Sequence, residues 1–186
     1  MQGRHRARSG RPSQVAGEER AKAQGLVQSM PLQGRVLVSG YEGSELAYAR
    51  LLIEAGADVP YVSTSIGQTP LTLPDELWLR SQGVQQIVYR KSQEDDEAAL
   101  NAYPPDLVLG TTSFADVAKR RGIPAMYFTN QLASRPFFLT GGMAATIDFL
   151  HKTLARRDRY ERMRDFFGAA PAGVPEGAIA DEVRHA

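Results

Sequence analysis

Short apolar runs alternate with helical patterns through the middle of the chain. Runs rich in β-branched and aliphatic residues predict five strands, at 35–39, 59–64, 86–89, 106–109 and 123–129. Apolar residues at helical spacing between these runs predict four helices, at about 44–55, 74–80, 92–103 and 114–121. This alternation is typical of βαβ units. We therefore expect an α/β fold with a Rossmann-like open parallel sheet and helices on both faces.

The two ends of the chain have different patterns. Met143, Ile147, Leu150 and Leu154 lie at helical spacing, so 136–168 is expected to form a C-terminal helical extension. Residues 169–186 are rich in Pro, Gly and Ala and predict a flexible tail. Residues 1–33 carry many arginines and few large apolar side chains. They predict a mostly disordered basic arm, with room for a short helix at about 18–30. The sheet domain is then expected over 34–135.

The length and net charge of the chain limit the number of domains and the kinds of partner that we expect. A chain of 186 residues is expected to form one domain with tails. Its 22 basic and 21 acidic residues give a net charge of +1, which argues against a nucleic-acid partner or an anionic membrane surface. No apolar run approaches the ~20 residues of a membrane span, and the N-terminal segment lacks the apolar core of a signal peptide. We therefore expect a cytoplasmic protein with no membrane span.

The reactive residue types are scarce. The chain has no cysteine, which excludes disulfides, zinc–thiolate sites, all-cysteine iron–sulfur ligation and a cysteine nucleophile within it. Two of its three histidines lie near the ends, and His151 lies among basic residues of a helical pattern, where we expect it to be exposed. Asp95, Asp96 and Glu97 are interpreted as a solvated helix start. No catalytic residue, metal site or cofactor is therefore predicted within this chain.

Candidate binding residues lie where the predicted strands end. The turn 40–44 has two glycines before a helix start that Ser44 is expected to cap, but it matches neither G-x-G-x-x-G nor a Walker A loop. An ordinary βα turn is thus favoured over a phosphate site. The turn 111–113 follows the fourth strand, and its Thr112 or Ser113 is expected to cap the next helix. After the fifth strand, 129–138 combines amides, a cation and two phenylalanines.

Ligands of open parallel sheets gather at the carboxyl ends of the strands, so these turns are expected to converge. The candidate substrate-binding residues are Gly40, Glu42, Gly43, Ser44, Thr111, Thr112, Asn130 and Arg135. Arg135 and Asn130 beside Phe137 and Phe138 suit a ligand with a carboxylate and a wide apolar ring. The alternative is that Arg135 pairs with an acid such as Glu42 and only holds two loops together.

Two stretches carry a family resemblance. GRVLVSGYEGSELAYARLLIEAGADVPYV (34–62) and PPDLVLGTTSFADVAKRRGIPAMYFTNQLASRP (104–136) resemble the C-terminal domain of the Y subunits of chlorophyllide a reductase, a nitrogenase-like family of bacteriochlorophyll biosynthesis. The resemblance covers about seven-tenths of the chain, 34–167. It implies a nitrogenase-like Rossmann-type domain and reduction of a chlorin ring double bond. It also implies a heterotetramer with a Z subunit and electron delivery by an ATP-dependent iron–sulfur subunit X.

In that family, an intersubunit iron–sulfur cluster passes electrons to chlorophyllide, and its cysteine ligands in Y lie mainly in the N-terminal domain. Because this chain has no cysteine, the resemblance implies a fragment that is inactive alone. Within the superfamily, the corresponding domain of protochlorophyllide reductase or nitrogenase is the runner-up. A free-standing Rossmann-like nucleotide- or sugar-binding module and a non-functional remnant are the alternatives from other classes.

Overall fold

The described residues of the computed structural model, 10–134 and 142–168, form thirteen helices and strands, which alternate up to the last strand and end in three helices. The strands are β1 (Arg35–Gly40), β2 (Asp58–Thr64), β3 (Gln86–Tyr89), β4 (Leu107–Gly110) and β5 (Ala125–Tyr127). The helices are α1 (Gly10–Ser29), α2 (Glu45–Glu54), α3 (Leu73–Ser81), α4 (Gln93–Ala102), α5 (Thr112–Arg120), α6 (Phe128–Ser134), α7 (Gly142–Leu154) and α8 (Arg157–Gly168).

The five strands form one parallel sheet in the order β3-β2-β1-β4-β5. Central strand β1 pairs with β2 on one side and β4 on the other, so Val38 lies opposite both Val62 and Leu109. Strand order reverses between β1 and β4, which is the point where open α/β sheets bind ligands. The predicted α/β fold with its open parallel sheet and C-terminal helices is confirmed.

Both faces of the sheet are covered. Val36 and Val38 of β1 belong to one buried cluster, which includes residues of α2 and α7, whereas Leu37 belongs to the other, which includes residues of α4 and α5. Successive strand residues face opposite sides, so a sheet covered on both faces needs apolar residues at every position. Because the faces are filled by core, ligand sites are left to the ends and edges of the strands.

The apolar face of α7 packs on this core. Ile147 and Leu150 of α7 are fully buried, and Met143 and Leu154 pack against the same cluster from partly buried positions. His151 is half-buried rather than exposed as expected. Its Nε2 donates to the carbonyl oxygen of Met30 at 2.7 Å and so joins α7 to the end of α1.

In the N-terminal segment, residues 10–29 form helix α1, which is longer than the short helix at about 18–30 that the sequence allows. Its end makes tertiary contacts that composition alone does not reveal: Leu26 and Val27 pack against the main core, and Leu32 just beyond it is fully buried. Packing of even a short apolar segment stabilises a helix that its sequence would not form alone. Residues 1–9, residues 135–141 with Arg135, Phe137 and Phe138, and residues 169–186 lie outside the described residues.

The segments after β4 and β5 differ from the prediction in the start of α5 and in an additional helix, α6. Strand β5 ends at Tyr127 rather than at Thr129, and the chain passes directly into α6, so Asn130 lies on a helix instead of in a loop. Thr111, not Thr112 or Ser113, is the N-cap of α5, and its hydroxyl makes no bond to the helix backbone. By contrast, Ser92 and Asp95 form the capping box of α4 that their spacing predicts.

Candidate functional site

The candidate site is the edge formed by the carboxyl ends of β1 and β4. Since Val38 lies opposite Leu109, Gly40 and Thr111 stand two residues further along at the same level of the sheet. The hydroxyl of Thr129 at the start of α6 donates to the Glu42 carboxylate, which links the β1 turn to the segment after β5. The strand ends that the sequence analysis selected therefore meet at one edge.

The individual candidates have different surroundings along this edge. Glu42, Thr112 and Asn130 are exposed, Thr111 is half-buried, and Gly40 is buried at the end of β1. Gly43 has a φ of +87°, a left-handed conformation that favours glycine, and a Cβ there would meet Ile66 Cδ1 at 2.6 Å. The described partner of Glu42 is Thr129. The Arg135–Glu42 alternative stays a prediction, since Arg135 lies outside the described residues.

A buried acid that the sequence analysis missed lies beneath the β1 turn. Glu45 begins α2, is fully buried, and its Oε1 accepts a hydrogen bond from the backbone N–H of Glu42 at 2.8 Å. Burial raises the pKa of this carboxyl above its usual value, although the hydrogen bonds it receives act in the opposite direction. A carboxyl group thus fills the start of α2, where a phosphate would otherwise be bound.

Glu45 also explains why residue 40 is glycine. A Cβ on Gly40 would lie 2.3 Å from Glu45 Oε1 and 2.8 Å from Phe128 Cδ1, so a side chain at residue 40 would collide with both α2 and α6. Ser44 is the N-cap of α2 as expected, but its ψ of 0° is far from the extended N-cap geometry and its hydroxyl makes no cap bond. Neither Ser44 Oγ nor Glu45 Oε2 has a hydrogen-bond partner among the described residues, although both atoms are buried.

A second buried acid lies on the opposite face of the same edge. Asp96 of α4 is 1% exposed, so its interpretation as part of a solvated helix start is wrong. Its Oδ1 accepts hydrogen bonds from Tyr61 Oη (2.9 Å) and Ser63 Oγ (2.7 Å), while its Oδ2 accepts from Ser39 Oγ (2.8 Å) and from Lys91 Nζ. We call these five residues the Asp96 cluster.

The Asp96 cluster joins three strands to α4. Ser39 lies near the end of β1, Tyr61 and Ser63 on β2, and Lys91 just after β3, with a side chain only 7% exposed. Burial and the nearby Asp96 charge raise the pKa of the Tyr61 hydroxyl, so Tyr61 stays a hydrogen-bond donor. Both acid oxygens are satisfied by a cation and three hydroxyls, so this charge is compensated entirely within the chain.

The long turn after β2 is held by a third acid. Glu76 of α3 accepts hydrogen bonds from Gln68 (2.7 Å), Tyr89 (3.0 Å) and Arg80 (3.0 Å). Burial alone would raise the pKa of Glu76, but these three bonds outweigh it and lower the pKa. The turn presents Ile66 (38% exposed) and Leu71 (89% exposed), and Tyr41 of the β1 turn is 50% exposed. The edge therefore combines polar groups with exposed apolar side chains.

Comparison with protein families identifies the chain's relatives. The sequence pattern of the nitrogenase component 1 type oxidoreductases matches residues 6–155, most of the chain. The chain belongs to this family. A solved structure titled "Nitrogenase Cp1 at pH 6.5" is similar to the nitrogenase-type fold of this chain with a TM-score of 0.63 and 18% identity, over 78% of this chain and 34% of that one. Because the sequence identity is only 18%, this similarity supports a shared fold and not a shared function.

Two curated relatives of this component 1 type chain have the same name. The "chlorophyllide reductase 52.5 kDa chain" of Rhodobacter capsulatus is 43% identical over 172 residues, which are 91% of this chain and 34% of the relative. That of Cereibacter sphaeroides is 44% identical over 156 residues, 84% of this chain and 30% of the relative. The chain therefore spans about a third of the length of these relatives.

The residues of this component 1 type chain do not fit an iron–sulfur cluster. The sequence has no cysteine, and within 10–134 and 142–168 no three His, Asp or Glu side chains are grouped closely enough to hold a metal ion. Among the helices of those ranges, none is long and apolar enough to cross a membrane. The edge at the ends of β1 and β4 carries exposed polar and apolar side chains, and the buried acids Glu45, Glu76 and Asp96 lie around it.

Proposed function

We propose that this chain is a fragment equivalent to the C-terminal domain of the Y subunit of chlorophyllide a reductase, and that it supplies one wall of the chlorophyllide site. One observation carries the proposal: 43% identity to a chlorophyllide reductase 52.5 kDa chain over 91% of this chain. Identity at this level across nearly the whole chain supports a shared role in the assembled enzyme, beyond the shared fold.

The composition of the β1–β4 edge supports contact with a pigment of this kind. Chlorophyllide combines a wide apolar ring with a carboxylate. Exposed Tyr41 and Ile66 offer apolar contact, and exposed Asn130 offers both a donor and an acceptor. Arg135, one residue beyond the described end of α6, would supply a cation for the carboxylate. Gly40, Glu42, Gly43, Ser44, Thr111 and Thr112 complete the proposed contact surface.

The rest of the reaction belongs to other polypeptides in this proposal. A Z subunit completes the pigment site in a heterotetramer, and the ATP-dependent iron–sulfur subunit X delivers the electrons. The cluster that relays them is held outside this chain, because the chain has no cysteine to ligate it. This division of labour predicts that the isolated chain is inactive. The proposal also places the complex in the cytoplasm.

Glu45 disfavours the alternative of a free-standing nucleotide-binding module. Phosphate sites of open α/β sheets use the backbone N–H groups at the first helix start, where an anion meets a partial positive charge. In this chain the Glu45 side chain reaches back into that turn and accepts the Glu42 N–H at 2.8 Å. A phosphate would have to displace a buried carboxyl group.

The proposal is tested by replacing the matched third of the Rhodobacter capsulatus 52.5 kDa chain with this chain. We call the product the fusion. Supplied with the Z and X subunits, ATP and reductant, the fusion is expected to reduce chlorophyllide, whereas the isolated chain is not. Arg135→Ala in the fusion is expected to weaken pigment binding at an unchanged melting temperature. A fusion that assembles with Z but binds no pigment would contradict the proposal.

A further inference from the structure

An open cleft of about 240 Å³ follows the outer edge of the sheet beside β5. Its walls are the three residues of β5, Lys119 of α5, Asn130, Gln131 and Ser134 of α6, and Phe149 of α7. We call it the β5 cleft. It lies along the side of the last strand in the described sheet, and Asn130 is shared between this cleft and the β1–β4 edge.

The backbone of β5 offers hydrogen bonds to this cleft. The Val108 N–H of β4 donates to the Pro124 carbonyl at 2.9 Å, so the backbone groups of Pro124 face β4. Alternate residues of a strand direct their N–H and C=O to opposite sides, which places those of Ala125 on the outer side and the N–H of Met126 towards β4. Such an outer edge is a template for a further strand.

Gln131 is the unusual side chain of the β5 cleft. It is 2% exposed, and neither its amide nitrogen nor its amide oxygen has a hydrogen-bond partner among the described residues. A buried amide without partners is costly, so an external group that supplies both a donor and an acceptor would relieve the cost. A carboxylate only accepts and would leave the amide oxygen unpaired. A peptide group has one N–H and one C=O and satisfies both.

Lys119 adds a charge preference to the β5 cleft. Its Nζ lies 4.2 Å from the centre of the Tyr127 ring, and within the described ranges it forms no ion pair. A cation held at the wall by an aromatic ring favours an acidic side chain on whatever enters. The cleft thus offers a strand edge, an amide that needs a peptide group, and a cation.

We propose that the β5 cleft receives an extended segment of the polypeptide that the 52.5 kDa relatives have beyond the matched third, added to the sheet as a sixth strand. Its peptide group pairs with Gln131 and one of its acidic side chains faces Lys119. About two-thirds of those relatives lies outside the match, as does about two-thirds of the solved nitrogenase chain, so a chain of this fold has ample polypeptide to supply the strand. The inference rests on family membership and not on the proposed substrate.

Amide hydrogen exchange in the isolated chain and in the fusion tests this proposal without pigment or reductant. The Ala125 N–H is expected to exchange at least ten-fold more slowly in the fusion, whereas the Met126 N–H, which faces β4, serves as the internal control and is slow in both. Equal exchange of Ala125 in the two proteins would overturn the proposal. If the fusion does not fold, the isolated chain is titrated with the separately produced remaining segment, and an absence of association would overturn it too.

A substitution separates docking from a structural role of Gln131. Gln131→Leu keeps the size of the side chain and removes both polar atoms, so the melting temperature of the isolated chain is expected to stay unchanged or rise. In the fusion, the same substitution is expected to return Ala125 exchange to within about three-fold of the isolated-chain rate. Gln82→Leu, at an exposed glutamine after α3, is the matched control and should change neither. A Gln131→Leu chain that melts lower in isolation while Ala125 stays protected in the fusion would contradict docking.

Discussion

The two buried acids at the ends of the strands have opposite surroundings. Asp96 accepts hydrogen bonds from three hydroxyls and from Lys91, and both of its oxygens are satisfied inside the chain. Glu45 lies across the sheet, where burial raises its pKa and one of its oxygens has no partner among the described residues. The comparison indicates that the α4 side of the edge has a structural role, because its buried charge is fully compensated within the chain. The α2–α6 side holds polar groups whose partners are not supplied by the described residues.

The largest expected effect on the free energy of unfolding comes from disrupting the Asp96 cluster. Asp96→Asn removes the charge that compensates Lys91, whose side chain is only 7% exposed. Removing one partner of a buried ion pair costs about 3–5 kcal/mol, and we expect a loss of that size in the free energy of unfolding measured with urea. Glu97→Gln, one residue further along α4, is the control and should change it by less than about 0.5 kcal/mol. A loss below about 1 kcal/mol for Asp96→Asn would show that the cluster does not hold the edge.

Two serines near the end of β1 provide a matched pair. Ser39 donates to Asp96 at 2.8 Å, whereas the buried hydroxyl of Ser44 has no described partner. Hydrogen bonds to a charged group contribute about 1.5–3 kcal/mol, so Ser39→Ala should lower the free energy of unfolding by that amount. Ser44→Ala removes an unsatisfied hydroxyl and should be neutral or stabilising. Equal losses in the free energy of unfolding of the two variants, measured by chemical denaturation, would contradict the difference between the α4 side and the α2–α6 side of the edge.

Gly40→Ala tests how tightly Glu45 is held. The added methyl group would fall within 2.3 Å of Glu45 Oε1 and 2.8 Å of Phe128, so we expect a destabilisation of about 1–3 kcal/mol from overpacking. Gly25→Ala is the control, because a Cβ on Gly25 in α1 meets nothing within 4 Å. Alanine there should be neutral or stabilise the helix by up to about 1 kcal/mol. If both variants melt at the wild-type temperature, the β1 turn is looser than its contacts indicate.

The smallest effect concerns pH. Because the pKa of Glu45 is raised in the folded chain, the folded state holds a proton that the unfolded state has already released. Stability is therefore full below the ordinary glutamate pKa and is lost as pH rises through the higher folded value. Glu45→Gln should remove this decline, so its melting temperature relative to the wild type should rise as the pH is raised above the ordinary glutamate pKa. Glu161→Gln, on exposed α8, is the control, and its melting temperature should change with pH as that of the wild type does. If the melting temperatures of all three chains change with pH in the same way, the pKa of Glu45 is not raised.

The sheet could be predicted from the sequence because its signals are local. Each strand is a short apolar run beside a glycine or a helix-capping residue, and the observed strands β1 to β4 match the predicted runs closely. The convergence of the β1 and β4 turns also follows from topology alone. The sequence allows only a short helix at about 18–30, whereas α1 begins at Gly10. Leu26 and Val27 pack on a core that the composition of residues 1–33 does not reveal.

The buried acids could not be predicted in the same way. Asp95, Asp96 and Glu97 look alike in the sequence, and only the position of α4 over β1 and β2 buries the middle one. A signal existed in the hydroxyls near the ends of β1 and β2 and in Lys91 just after β3, since a lysine and several hydroxyls near adjacent strand ends suit one buried carboxylate. Glu45 carries a weaker signal, namely an acid at the first position of a helix after a glycine turn.

The position of β1 at the centre of the sheet has a consequence for how the chain folds as it is synthesised. The backbone N–H of Arg35 at the start of β1 bonds to Asp106, which follows 71 residues later in the chain. The β1–α2–β2 unit can form as soon as it leaves the ribosome, but one edge of β1 stays open until β4 has emerged. At a synthesis rate of about 5–20 residues per second, that interval lasts several seconds. During it, one backbone edge of the central strand is exposed to other chains, so folding yield should depend more on protein concentration and chaperones than the stability of the finished fold would suggest.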